Sequence, residues 1–271
     1  MRKAWLAGAM VAAMAGAPAA GFGADQKAKP SADIDSLIKR MEESGALDAA
    51  IDRGIQRFIQ RQQEAQQKQQ ADQQRGQAEA AKNARKVDAK RDRIFGDQQA
   101  EVSLIIYDDL ECPYCKRFAD TPERAIAKFN GKANVVFRHF PLDFHGEIAR
   151  RGAYYAECVG RQAGSKAFFT FANDWLKHTN ANGKGFDRGD AQIRELAQSA
   201  GAKDLAALDA CARDPAVAKI VSDDIADGER SGITGTPGIV VRNNKTGLSL
   251  PIIGAVPIET LERGIQRALA N

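Results

Sequence analysis

Apolar residues recur at steps of three and four through the first third of the chain: Ile34, Leu37, Ile38, Met41, Leu47, Ile51, Ile55, Phe58 and Ile59. That spacing predicts helices with one apolar stripe, and Gly45 divides the run into two short helices. From about Gln60 to Arg93 the chain turns to Gln, Lys, Arg, Ala and Glu, with Val87 the only branched apolar residue. These are good helix formers, so the stretch reads as a solvated helical stalk or a linker. Neither part buries enough surface to fold alone. A narrow helical stripe suits the seam of a bundle, which predicts self-association into a dimer or trimer. Folding back onto the rest of the chain is the competing arrangement.

The pattern changes near Ile94. Val102-Ser103-Leu104-Ile105-Ile106-Tyr107 reads as a buried strand, and a turn over Asp108 to Glu111 follows it. Phe118, Ala125, Ile126 and Phe129 then mark one side of a helix, which Pro122 should kink. Asn134 to Phe140 is a second strand. Residues 145–230 carry helical spacing five times over: Ile148, Tyr155 and Val159; Phe168, Phe171 and Trp175; Ile193, Leu196 and Ala200; Leu205 and Leu208; Val217, Ile220, Val221 and Ile225. Gly232 to Pro237 is a turn. Gly238 to Arg242 and Leu248 to Ile253 form a hairpin around Asn243-Asn244-Lys245-Thr246-Gly247. Pro257 opens a last helix with Ile258, Leu261, Ile265 and Leu269 at helical spacing. No internal repeat is present. The expected organisation is a helical oligomerisation region at 25–62, a Gln-rich stalk or linker at 63–94, and an α/β domain at 95–271 with a helical insert at about 145–230.

Composition narrows the function classes. The 271 residues are 44% apolar and 27% charged, as in a soluble globular chain. A net charge of +4 is close to neutral for this size and argues against a dedicated nucleic-acid binder, which would carry a clustered basic surface. The chain opens with Arg2 and Lys3, an apolar run from Ala4 to about Ala17, and small residues before Asp25. This is the pattern of a secretory signal peptide over residues 1–24, cleaved after Ala19 or Ala24. The run is short for a membrane helix, which needs roughly 20 apolar residues; an uncleaved anchor is the competing reading. Export to a bacterial periplasm is expected, where disulfides form and persist. Four cysteines then fit two pairs.

The chemistry lies in Cys112-Pro113-Tyr114-Cys115. A C-x-x-C between a strand and a helix puts the first sulfur at the helix N-terminus and the second one turn in. Unpaired N–H groups and the helix dipole favour thiolate over thiol there, so Cys112 is the expected nucleophile and Cys115 the resolving thiol. A zinc site would need two further ligands. Cys158 and Cys211 stand far apart, and His139, His145 and His178 form no cluster in sequence, so no metal is expected. Copper(I) held by the two thiolates is the alternative from a different class, a carrier in place of an enzyme. Asp108, Asp109 and Glu111 read as a solvated turn, with a proton relay to the resolving cysteine as the competing assignment. Cys158 and Cys211 both face inward within the helical block and suggest a structural disulfide; two buried free thiols are the alternative. Closing 53 residues would contribute roughly 4 kcal/mol.

Strand, Cys-Pro-Tyr-Cys, helix, long helical insert, Thr234-Gly235-Thr236-Pro237, hairpin and terminal helix together resemble the DsbA type of thioredoxin-fold protein over residues 95–271. Gly254-Ala255-Val256-Pro257 before the last helix is also similar to that group. The leader helices and Gln-rich stalk are similar to the N-terminal region of the ScsC branch, the copper-sensitivity suppressor proteins. The resemblance implies that Pro237 is cis and faces the cysteine pair, with Thr236 shaping redox behaviour and client contact. The Pro113-Tyr114 dipeptide departs from the Pro-His of the strongest oxidants in the group, which leaves the potential open. The implied activity is thiol-disulfide exchange with exported client proteins, by an oligomeric isomerase or reductase, or by a monomer-like dithiol oxidase. It needs no dissociable cofactor, and a membrane redox partner resets the pair. Oxidase, reductase and isomerase share these residues, so that partner sets the direction. Holding several Cys112–Cys115 sites together would favour isomerisation, and removing residues 25–93 would leave a folded monomer.

Overall fold

The computed structural model describes residues 32–271; the signal-peptide assignment lies outside them. The chain forms two compact units, one ending at Ala65 and one running from Gln66 to Asn271.

The first unit holds α1 (Ala32–Glu43) and the start of α2 (Ala46–Ala81). Gly45 adopts φ 69 between them, a left-handed conformation that glycine takes without a Cβ penalty. The second helix is not short. Its 36 residues run through most of the Gln-rich stretch, because nothing there breaks a helix except Gly76, which is tolerated at a modest cost. The apolar stripe is exposed: Ile34, Leu37, Ile38, Met41, Ile51, Ile55, Phe58 and Ile59 all face outward, with Phe58 56% exposed.

The second unit is built on a five-stranded sheet in the order β1-β3-β2-β4-β5: β1 (Arg93–Phe95), β2 (Val102–Asp108), β3 (Ala133–His139), β4 (Gly238–Asn243) and β5 (Ser249–Ile253). β2 and β3 pair in parallel, and β1, β4 and β5 join antiparallel. The three-residue edge strand β1 carries too little periodicity to be legible in the sequence. Every residue of β2, β3 and β4 is buried, since both faces of the sheet are covered. Leu104, Ile106, Val135, Phe137, Ile239 and Val241 pack into the larger core, with α4 (Thr121–Ile126), α5 (Gly146–His178) and α9 (Ile258–Leu269). Ile105, Tyr107, Val136 and Val240 pack on the other face with Ala81, Ala84, Ile94 and Ile233. The helical insert is α5, α6 (Asp190–Ala200), α7 (Leu205–Cys211) and α8 (Pro215–Arg230). Gly164, at φ 85 and ψ 177, kinks α5.

The segment expected as linker is therefore part of the folded unit. Beyond Ala81 it carries polar groups into a buried network on the second face. Arg138, fully buried, donates to Asp227 (2.6 Å), Asp92 (3.3 Å) and the carbonyl of Arg85 (2.9 Å). Tyr107 donates to Asp227 (2.5 Å), and Arg85 and Arg91 pair with Asp224 at 3.1 and 2.7 Å. A charge this deep persists only when paired and hydrogen-bonded. A cut after residue 93 would strip the first residue of β1 and take Asp92 and the Arg85 carbonyl from Arg138, leaving it Asp227 alone as a charged partner. The cut that leaves the second unit whole follows Ala65.

Candidate active site

The site begins where β2 ends. Cys112 caps α3 (Pro113–Phe118), with Pro113 in the first turn; proline has no N–H to lose there and its fixed φ suits the helix. Pro122 follows in the first turn of α4, so the helix expected after the motif is two short ones. Cys112 and Cys115 are free thiols, 3% and 0% exposed. The Sγ of Cys112 donates to the carbonyl of Thr236 at 3.4 Å. The Thr236–Pro237 bond is cis, and Gly254 N–H donates to the Pro237 carbonyl at 3.0 Å. The structure thus brings Cys112, Cys115, Thr236 and Pro237 together, while Tyr114 lies exposed under the Arg117 guanidinium.

The two sulfurs are electrostatically unequal. The pKa of Cys112 is lowered to about 6. Its hydrogen bond with Cys115 contributes most, and the Thr236 side chain and the N–H groups of Tyr114 and Cys115 add to it, against opposition from burial. Cys115 is pushed well up, first by burial and then by its hydrogen bond with Cys112 and the charge of Asp108. One sulfur is ready to attack at neutral pH, and the other must first lose a proton.

The acidic turn is not solvated. Asp108, Asp109 and Glu111 are 5%, 1% and 0% exposed. The tertiary structure closes α5 and the loops on either side of it over that turn, which local polarity could not reveal. Asp109 accepts from the N–H groups of Glu111 and Leu142, each at 2.8 Å, and from His145 Nδ1 at 2.7 Å. Glu111 accepts from Trp175 Nε1 (2.9 Å), Thr179 Oγ1 (2.6 Å) and Gly185 N (3.0 Å). These two carboxylates are structural, and they pin the motif to the helical insert. Asp108 is different. Burial raises its pKa to about 7, it interacts with both cysteines, and its Oδ1 has no hydrogen-bond partner among the described residues. It lines a cavity of about 20 Å³ with Glu123 and Asn173, enough for a water-sized guest. The signal for Asp108 was present in the sequence, as an acid ending an otherwise apolar strand beside the motif.

Cys158, on α5, and Cys211, at the end of α7, are joined by a disulfide with Cα atoms 5.9 Å apart. Among the described residues no group of three or more His, Cys, Asp or Glu is placed to hold a metal ion.

A low-pKa thiolate at a helix start, a buried partner thiol and a cis-proline loop across from them, on this sheet, define a dithiol redox protein of thioredoxin architecture. The family model described as Thioredoxin matches residues 88–265, and the chain belongs to that family. Among solved structures, Pseudomonas aeruginosa DsbA2 is 32% identical, covering 68% of this chain and 96% of its own, with a TM-score of 0.58. BdbD from Bacillus subtilis is 22% identical, covering 69% and 98%, with a TM-score of 0.57. The catalytic domain of Proteus mirabilis ScsC is 23% identical, covering 73% and 99%, with a TM-score of 0.56; these last two show the shared fold. Among curated proteins, the Na(+)/H(+) antiporter NhaA 1 of Mycolicibacterium gilvum is 27% identical over 60% of this chain, and the match spans 25% of that protein. No described helix of this chain is long and apolar enough to cross a membrane.

Proposed function

We propose that the protein is an exported thiol-disulfide oxidoreductase that acts on client proteins as a homo-oligomer, in disulfide isomerisation or reduction. The observation that carries the chemistry is the inequality of the two sulfurs, Cys112 lowered to about 6 and Cys115 raised beside Asp108. The Cys112 thiolate attacks a client disulfide, forming a mixed disulfide and releasing one client thiolate. Asp108 takes the Cys115 proton. Cys115 then attacks the Cys112 sulfur, closes the Cys112–Cys115 disulfide and expels the second client thiolate. In isomerisation the client thiolate released first attacks another client disulfide, and the thiolate freed there attacks the client sulfur of the mixed disulfide, forming a new client disulfide and releasing Cys112 as the thiolate it began as. Thr236 and Pro237 border the mixed disulfide.

Two surfaces support the choice of clients and of assembly. The large exposed apolar residues of the second unit are Tyr114, Phe144 and Ile253. Tyr114 belongs to the motif, Phe144 packs on His145, which binds Asp109, and Ile253 pairs with Gly238 beside Pro237. An apolar rim around a reactive sulfur suits unfolded segments better than polar native surfaces. In the first unit the exposed stripe on α1 and α2 calls for a second copy, and linked sites raise the effective concentration of a held client. The resemblance to exported relatives supports a periplasmic location and a membrane partner that resets the pair.

Trapping tests the reading. Cys115→Ala should accumulate mixed disulfides with exported proteins, resolved on non-reducing gels, and Cys112→Ala should form none. Full exchange activity in Cys112→Ala would refute it.

A further inference from the structure

The end of the sheet away from the cysteines carries more positive charge than its carboxylates balance. Arg242 pairs in register with Ser103, near the start of β2, whereas Cys112 follows the end of that strand. The seven residues of β2 separate the two places by about 20 Å. Arg242 is 8% exposed. Its Nη1 donates to Ser249 Oγ at 3.1 Å and to the Ala84 carbonyl at 3.5 Å. Among the described residues no carboxylate lies within ion-pair distance of it. Burial and the neighbouring Arg138 hold its pKa below the ordinary arginine value. An unpaired guanidinium at this depth is expensive, and packing alone does not require one.

Arg242 lines a groove of about 390 Å³ together with Lys86, Gln98, Gln99, Asn244 and Lys245. Lys86 has no ion-pair partner among the described residues, and Lys245 reaches only the Glu101 carboxylate, at 2.8 Å. Three cations against one carboxylate leave the lining at +2. The Gln98 and Gln99 amides add neutral donors, while the Asn244 amide is held by the Ala100 carbonyl and Ser103 Oγ, each at 2.9 Å. We propose that this groove is a binding site for a small doubly charged oxyanion of the phosphate or phosphomonoester class. A planar guanidinium matches two oxygens of such a group at once, and the two ammonium groups supply the rest of the charge. Size and surroundings select the class. The groove holds a small molecule, and Glu101 in the lining and the exposed Asp97 beside it interrupt the positive surface that a polyanion would need. The lining comes from three separate segments, so a bound anion ties the chain just after α2 to the β4–β5 turn.

Isothermal titration of the full chain with inorganic phosphate, against sodium chloride at matched ionic strength, tests the site. One phosphate per chain is expected, bound at least tenfold more tightly than chloride, with a matching rise in melting temperature. Lys86→Ala and Lys245→Ala, both on exposed side chains, should each weaken phosphate by about five- to tenfold. Glu101→Gln should strengthen it, because Lys245 is released. Arg242→Gln should abolish binding, but Arg242 is buried, so the lysine and glutamate variants decide. Phosphate held no better than chloride, or affinity unmoved by the three surface variants, would overturn the proposal. So would flotation on phosphatidylglycerol vesicles that free phosphate does not compete away.

Discussion

Asp108 ends β2 with its carboxylate in the protein interior, beside both sulfurs. Its folded pKa of about 7 lies above the unfolded value of about 3.9. The penalty on its charged form is absent below pH 4, grows from there, and is complete above pH 7. Asp108→Asn should therefore stabilise the dithiol protein by about 2–4 kcal/mol at pH 8 and by almost nothing at pH 4, read from denaturant melts at the two pH values. The same variant should slow resolution of a mixed disulfide by about 10²-fold, since proton removal from Cys115 loses its acceptor. A stabilised variant with undiminished resolution would exclude the base assignment. Cys112 has the opposite sign. Its folded pKa of about 6 lies below the unfolded value of about 8.5, so its thiolate stabilises the dithiol form fully above pH 8.5 and that gain is lost as pH falls through 6. Iodoacetamide should label Cys112 faster than Cys115, with a rate that rises around pH 6. A midpoint near 8.5 would mean that Cys115, Thr236 and the N–H groups of the helix start do not activate this sulfur.

At the scale of elements, the insert and the motif depend on each other. Glu111 joins the motif turn to α5 through Trp175 and Thr179, and to the following loop through Gly185. The Cys158–Cys211 disulfide, expected in protein made under oxidising conditions, joins α5 to α7 across 53 residues. In the chain-entropy account that closure contributes roughly 4 kcal/mol. The double substitution Cys158→Ala with Cys211→Ala should lower the melting temperature clearly and leave the Cys112 labelling rate unchanged, since the groups that lower the Cys112 pKa are Cys115, Thr236 and the helix-start N–H groups. Labelling that changes with the double variant would show the insert tuning the active thiol.

The whole molecule joins an exchange unit to a helical leader with an uncovered apolar stripe. Eight large apolar side chains between Ile34 and Ile59 stand roughly half exposed, more than a single chain in water leaves open without a partner surface. Light scattering on the mature chain should give a dimer or trimer, and a chain beginning at Gln66 should be monomeric. The shorter chain keeps Arg85, Asp92 and β1, so it should fold and exchange single disulfides at full rate, while refolding scrambled ribonuclease several-fold more slowly. A monomeric mature chain, or equal isomerisation by both, would dismiss the assembly argument. A chain begun at residue 94 should instead be unstable, because Arg138 would lose Asp92.

Local rules decided much of this protein. Period and punctuation marked the helices of the insert, the long strands and the hairpin, because each element buries a face whose spacing is set by its own geometry. The strand–Cys-Pro-Tyr-Cys–helix junction fixed the reactive pair, since a helix start lowers a thiol pKa wherever it occurs. Distant contacts decided the rest. Nothing near Asp109 or Glu111 announces that Leu142, His145, Trp175 and Gly185 will close over them, and nothing in the polar run from Arg85 to Asp92 announces Arg138, Asp224 and Asp227. Burial of a charge depends on which remote groups arrive to satisfy it, so the polar turn and the polar linker became interior only when the sheet and the helical insert closed around them.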